Sequence, residues 1–256
     1  MANRPPRAVI FDYGNTLVSV DRALHSRRTD YADVVAVPGA ERMARHLEAR
    51  GRLTRETGIA FIDRFLRIRE VNRSKADESG DEIPADVSLR ETFRDLGLPE
   101  LTTSDVAEVL RVFFSVEEEL LLEIPGAGRM LHRLEREGVP MALLSNATDG
   151  AYIARVIERH GWTRHFRPLV VSSDIGVRKP RAEAFQSVLR EWTFAPDEIA
   201  MVGDSLRHDI GGGQAVGLRT IHFTWIPNPQ DPLYVGRIIP DQSAETHEDL
   251  ERVLLG

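Results

Sequence analysis

Ala8-Val9-Ile10-Phe11-Asp12-Tyr13-Gly14-Asn15-Thr16-Leu17 runs from four apolar residues into a single carboxylate, with a glycine two positions further on. A short apolar run of this kind reads as a buried strand. Parallel sheets carry their chemistry at the carboxyl ends of their strands, so Asp12 is a candidate nucleophile or metal ligand. Gly14 then bears on how good a catalyst Asp12 can be.

Working outward from Asp12, the carboxyl half alternates short apolar runs with amphipathic segments. Val139 to Leu144, Leu169 to Val171, Ile199 to Val202 and Thr220 to Phe223 read as further buried strands. Between them Met130, Leu131 and Leu134, then Ile153, Val156 and Ile157, then Ala184, Phe185, Val188 and Leu189 recur at helical spacing, and Gly138 stands where a helix stops. This predicts an α/β fold: a parallel sheet flanked by helices, with Arg7 to Phe11 as its first strand. More than a hundred residues separate that strand from the next. Residues 20–123 contain no convincing strand and read as helices, with stripes at Ile59, Ile62, Phe65 and Leu66, at Leu89, Phe93 and Leu96, and at Val106, Val109, Leu110, Phe113 and Phe114. A helical subdomain inserted after the first strand is the expectation. Ser74 to Pro84 is expected to be a mobile loop, the stretch from Pro227 to Pro232 a loop, and Glu248 to Leu255 a terminal helix.

Composition narrows the functional classes. The chain has 256 residues, 42% hydrophobic and 29% charged, which suits a globular protein with one large or two modest cores. A formal charge of −7 gives no general attraction to nucleic acid. Arg64, Arg67, Arg69 and Arg73 read first as a solvated helix face and only second as an anion site. The absence of cysteine excludes disulfides, thiolate zinc sites and cysteine catalysis, and fits a cytoplasmic protein. Met1 to Arg7 lacks an apolar core and no apolar run approaches about 18 residues, so neither a signal peptide nor a membrane partner is expected.

Four motifs follow predicted strands in order: Asp12-Tyr13-Gly14-Asn15-Thr16; Leu144-Ser145-Asn146-Ala147; Val177-Arg178-Lys179-Pro180; and Val202-Gly203-Asp204-Ser205 with Asp209. Taken alone, Ser145-Asn146 reads as turn and cap residues and Lys179 as a solvated charge. Together they resemble the haloacid dehalogenase superfamily, whose members are mostly phosphohydrolases with a Rossmann-like core and an optional cap. The resemblance implies a core of residues 1–19 plus 124–256 and an all-helical cap of residues 20–123. It implies that Asp12 attacks phosphorus and forms an aspartyl phosphate. Mg²⁺ would be held by Asp12, Asp204 and the backbone carbonyl of Gly14, with Asp209 holding the metal's waters or orienting Lys179. Lys179, the Ser145 hydroxyl and the Asn146 amide would bind phosphate oxygens, and Thr16 would shape the loop. A small phosphorylated substrate is implied, and cap helices allow a homodimer. Arg22, Arg27 and Arg28 read either as a further anion contact or as surface charge.

The family's phosphatases carry a second aspartate where this chain has Gly14. That side chain protonates the leaving alcohol and then deprotonates water, a role contributing about 10²- to 10⁴-fold. Its loss leaves three readings: a substrate with a good leaving group, a substitute acid among His25, Asp21, Asp30 and Tyr13, or a slow or inactive phosphatase. His25 attracts attention because its ordinary pKa lies near neutrality. The superfamily's metal-independent 2-haloacid dehalogenases also lack the second aspartate, and a phosphate-binding regulatory protein is a further alternative.

Overall fold

The computed structural model describes residues 4–20 and 31–256. It divides into two compact units, one made of residues 1–19 and 122–256 and the other of residues 20–121. Six strands form the sheet of the first unit: β1 (Ala8–Phe11), β4 (Met141–Ser145), β5 (Phe166–Val171), β6 (Ile199–Gly203), β7 (Arg219–Phe223) and β8 (Gln242–Ala244). Their order is β5-β4-β1-β6-β7-β8 and every neighbouring pair is parallel. The run from β1 proceeds to β4 and β5, then crosses to β6 on the other side of β1. Connections therefore diverge between β1 and β6, which is where an open parallel sheet forms a crevice at its carboxyl edge.

Alternation along β1 explains the layering. Ala8 and Ile10 join Ala142, Leu144, Ile199 and Met201 in a buried cluster that takes in Ala184, Phe185 and Val188 of one helix (Ala182–Leu189). Phe11, one residue on from Ile10, meets Phe166 edge to face at 6.5 Å between ring centroids. Helices Ala127–Arg136 and His247–Leu255 pack against each other, and Met130, Leu131 and Leu134 of the first are fully buried. The short 3₁₀ turn Asp231–Leu233 overlaps the end of the expected loop from Pro227 to Pro232, and β8 lies beyond it, where no strand is expected. Three residues make too short a strand to carry a pattern.

The second unit is helical: Val37–Ala49, Arg55–Ser79, Ala85–Asp95 and Thr103–Leu120. Thr54 and Thr102 open two of these helices with reciprocal caps to Thr57 and Asp105. Phe61 stacks on Phe65, and Phe93 and Phe113 meet them edge to face. Two short strands, β2 (Val18–Val20) and β3 (Leu121–Glu123), pair where the chain leaves the sheet unit and returns to it, so the stretch 20–123, expected to be wholly helical, is strand at both ends; strands of three residues are too short to show alternation.

Two further expectations about the helical unit need correction. Ser74 to Pro84 is not a loop: the helix from Arg55 runs to Ser79, because Asn72 and Ala76 continue the buried stripe of Phe65 and Arg69 at helical spacing. Gly80, at φ +78°, ends it. Nor is Arg69 solvated like its neighbours. Arg64 pairs with Asp95 at 3.0 Å, and Arg67 with Asp63, on the surface, whereas Arg69 is buried with its guanidinium 5.2 Å from the Phe113 ring centroid. Polarity in the sequence conceals such burial, since an arginine stem packs as a hydrocarbon. No helix among the described residues is long and apolar enough to cross a membrane.

Candidate active site

Asp12 directly follows β1, and its backbone N–H donates to the Val202 carbonyl of β6 at 2.9 Å, so strand pairing itself brings the Asp12 loop to the Gly203-Asp204 turn. After Asp12 the chain reverses tightly: the Leu17 N–H donates to the Tyr13 carbonyl at 2.9 Å, and Gly14 bridges to Val18. Asn15 takes the left-handed conformation at φ +55°, which asparagine tolerates, and its Oδ1 accepts from the Ser19 hydroxyl at 2.9 Å. Thr16 is wholly buried. Its carbonyl lies 2.8 Å from Nε2 of buried His247, whose Nδ1 lies 3.1 Å from the Pro125 carbonyl, so the terminal helix pins this loop.

Lys179 is the centre of the cluster. It does not close a strand: it lies eight residues beyond β5, after the short helical turn Ser172–Ile175. Asn146, following β4, holds it there by accepting from the Lys179 N–H at 2.8 Å and donating to the Lys179 carbonyl at 2.9 Å. The Asn146 side chain is thus a clamp on Lys179, whereas Asp149 is the residue that caps the following helix. Lys179 is only 1% exposed, and its Nζ donates to Asp12 Oδ1 at 2.6 Å and to Asp209 Oδ1 at 2.7 Å. The other oxygen of Asp209 accepts the Ser205 N–H at 3.0 Å. Gly203 is required for this, because a Cβ there would stand 2.3 Å from the Asp209 carboxylate. Ser145 is buried at the end of β4, and Tyr13 is buried beside Asp12. His25, Asp21, Asp30, Arg22, Arg27 and Arg28 lie outside the described residues.

The ligand oxygens of Asp12, Asp204 and Asp209 come within 4.8 Å of one another, and all three residues are buried. Burial raises the Asp12 carboxyl to about 6, against the opposing pull of Lys179. Burial, reinforced by Asp12 and Asp209, pushes Asp204 well above the ordinary carboxylate range. Burial alone would lower the Lys179 ammonium, but Asp12 and Asp209 hold it above its usual value. Three buried carboxylates against one ammonium leave a surplus of negative charge that a hard, oxygen-seeking dication would neutralise, so the donor set fits Mg²⁺.

Three residues of this site escape a reading of the sequence. Asn228 donates to Asp204 Oδ2 at 3.0 Å. His222 Nε2 lies 3.1 Å from the Asp204 carbonyl and 2.9 Å from Asp231 Oδ2, and Asp231 Oδ1 accepts the Leu206 N–H at 2.8 Å. All three brace the Asp204 turn from β7 and the loop beyond it. No motif marks them, since Pro227-Asn228-Pro229 reads only as a turn.

Comparison with known proteins agrees with this arrangement of parallel strands. The pattern of haloacid dehalogenase-like hydrolases matches residues 6–217. This chain belongs to that family. It is 33% identical over 122 residues to glyceraldehyde 3-phosphate phosphatase of Pyrococcus furiosus, covering 47% of this chain and 50% of that relative. The chain thus spans about half the length of the first relatives it matches. Over a longer stretch, 86% of this chain and 81% of the relative, it is 25% identical to phosphoglycolate phosphatase of Shigella boydii. In fold it resembles the crystal structure of 2-haloacid dehalogenase from Pseudomonas syringae, with a TM-score of 0.64, 20% identity and 98% of both chains covered.

Proposed function

We propose that this haloacid dehalogenase-like hydrolase is a Mg²⁺-dependent phosphohydrolase of a small phosphorylated metabolite, with Asp12 as the phosphoryl acceptor. The observation that carries the reading is the buried lysine bridging Asp12 and Asp209, with Asp204 alongside. Phosphoryl transfer asks for an in-line nucleophile and for positive charge at the equatorial oxygens. The Asp12 carboxylate would form the new bond to phosphorus as the bond to the leaving oxygen breaks, and water would then release phosphate from the aspartyl phosphate. Lys179, with the Ser145 hydroxyl and the Asn146 backbone amide, would bind the transferring oxygens, and Asp209 and Asn146 fix where Lys179 stands. Asp12, Asp204 and the Gly14 carbonyl would hold Mg²⁺, whose chemistry is to neutralise charge on the phosphoryl group.

Gly14 supplies no proton to the leaving group. Tyr13 and His25 are the proposed substitutes, or the substrate is an acyl, aryl or anhydride phosphate that needs none. Gly14 also favours a second reading, metal-independent dehalogenation of a 2-haloacid. Against it stands the acidic cluster, which that reaction leaves without a task. The family relatives named as phosphatases support the first reading.

The test is phosphate release from a broad panel of phosphate esters and anhydrides. Release should need Mg²⁺, stop with chelator, and fall by at least about 10³-fold in Asp12→Asn, as expected for loss of a nucleophile. Turnover unchanged in Asp12→Asn, or halide release without metal, would overturn it.

A further inference from the structure

A second cluster of ligating side chains lies away from Asp12, on the helix that precedes β4. His132 and Glu135 stand at i and i+3 on helix Ala127–Arg136, hence on one face, and His165 immediately precedes β5. One ligand atom from each lies within 4.8 Å of the others. The His165 side chain is wholly buried, yet among the described residues neither ring nitrogen has a hydrogen-bond partner. Buried imidazole nitrogens are ordinarily satisfied, so this ring lacks a partner that its position calls for. Its Nδ1 lies 3.5 Å from Glu135 Oε2, and the His132 ring lies 4.8 Å away, centroid to centroid, at 65°.

Packing of the two histidine rings against each other explains their contact but not the unpartnered nitrogens of His165. We infer that His132, Glu135 and His165 form a site for a divalent transition metal of the zinc class, separate from the Mg²⁺ site proposed above. Two imidazoles and one carboxylate are the donor set for zinc and its first-row neighbours rather than for Mg²⁺, which prefers oxygen alone. Metal–ligand bonds of about 2.0–2.2 Å place the donors of a tetrahedral site about 3.3–3.6 Å apart, and the His165–Glu135 separation of 3.5 Å already meets this. Coordination at Nδ1 gives the buried ring one partner, and a fourth position stays open to water. Arg164 is the competitor: it pairs with Glu135 Oε2 at 3.3 Å, but its side chain is 64% exposed and is free to swing out. Arg133, also on this helix, is paired with Glu137 and Glu251. The metal would join the helix to the start of β5 and stabilise the sheet unit as a ligand stabilises any fold that binds it.

The experiment is calorimetric titration of Zn²⁺ into the full-length, tag-free protein in excess Mg²⁺, alongside His132→Ala, Glu135→Gln and Asp204→Asn. Both substitutions on the helix fall on exposed residues, and equal thermal midpoints without Zn²⁺ establish that those variants fold. One equivalent of Zn²⁺ should bind and raise the unfolding temperature. His132→Ala should weaken binding by about 100-fold or more, given that even an outer-shell partner is worth about 10- to 100-fold. Asp204→Asn should retain it. Co²⁺ should give visible tetrahedral bands that vanish in His132→Ala. No binding beyond the acidic cluster, or binding unchanged in both helix variants, overturns the inference.

Discussion

Gly14 has room for a Cβ: among the described residues no atom outside its chain neighbours lies within 4 Å of where one would stand, and its φ is outside the left-handed region. Gly14→Asp therefore starts from open space, and it supplies the carboxyl that the proposed phosphatase reading expects at this position. Initial rates on alkyl phosphate esters should rise by about 10²- to 10⁴-fold, with little change on acyl or aryl phosphates, whose leaving groups need no proton. An alkyl ester rate that does not rise places the proton donor elsewhere. Asp12 carries a second expectation. Its carboxyl is raised to about 6, chiefly by burial, and it must be ionised to hold a cation. Protons therefore compete with Mg²⁺ as pH falls through that value. Mg²⁺ affinity measured by calorimetry should be at least about tenfold weaker at pH 5 than at pH 7, the ratio of ionised Asp12 at the two pH values, with the raised Asp204 carboxyl adding to the loss. An affinity independent of pH in this range would show that Asp12 is not a ligand.

At the scale of elements, the end of β6 and the turn after it act as one piece. Ser205 caps the turn by accepting the His208 N–H at 3.1 Å, and this brings Asp209 back against Gly203. A methyl at 203 would collide with a carboxylate that is itself held by Lys179 and the Ser205 amide. Gly203→Ala should therefore cost about 1–3 kcal/mol by overpacking, read from denaturant unfolding, and should lower turnover by releasing Lys179. Normal stability and rate in this variant would mean that Asp209 has another resting place. The motif Gly203-Asp204-Ser205 with Asp209 is legible in the sequence because it is local: turn, cap and carboxylate lie within seven residues. Asn228, His222 and Asp231 are not, since each acts on Asp204 or its turn from 18 or more positions away. The helix through Ser79 escapes for a related reason. Its polar residues Asn72 and Arg69 are buried by partners on other helices, and Asn72 bonds to Ser88 and Glu91 at 3.1 and 2.8 Å.

Over the whole molecule, the two units are built on different signals. Short continuous apolar runs separated by amphipathic helices mark the parallel sheet, and these patterns depend on neighbours a few residues apart. Threefold and fourfold apolar spacing marks the helical unit in the same way. From sequence alone, the chain thus determines an α/β sheet carrying a helical insertion, with Asp12 and Asp204 at strand ends and a glycine two positions after Asp12. Only the tertiary structure decides what those residues touch. It gives Asn146 a clamp on Lys179, gives Lys179 both Asp12 and Asp209, sets His247 under the Asp12 loop, and brings His165 to His132 and Glu135. The physical reason is range: backbone periodicity is written between near neighbours, whereas a buried charge or an imidazole takes its partner, and hence its chemistry, from whichever distant segment the packed core lays against it.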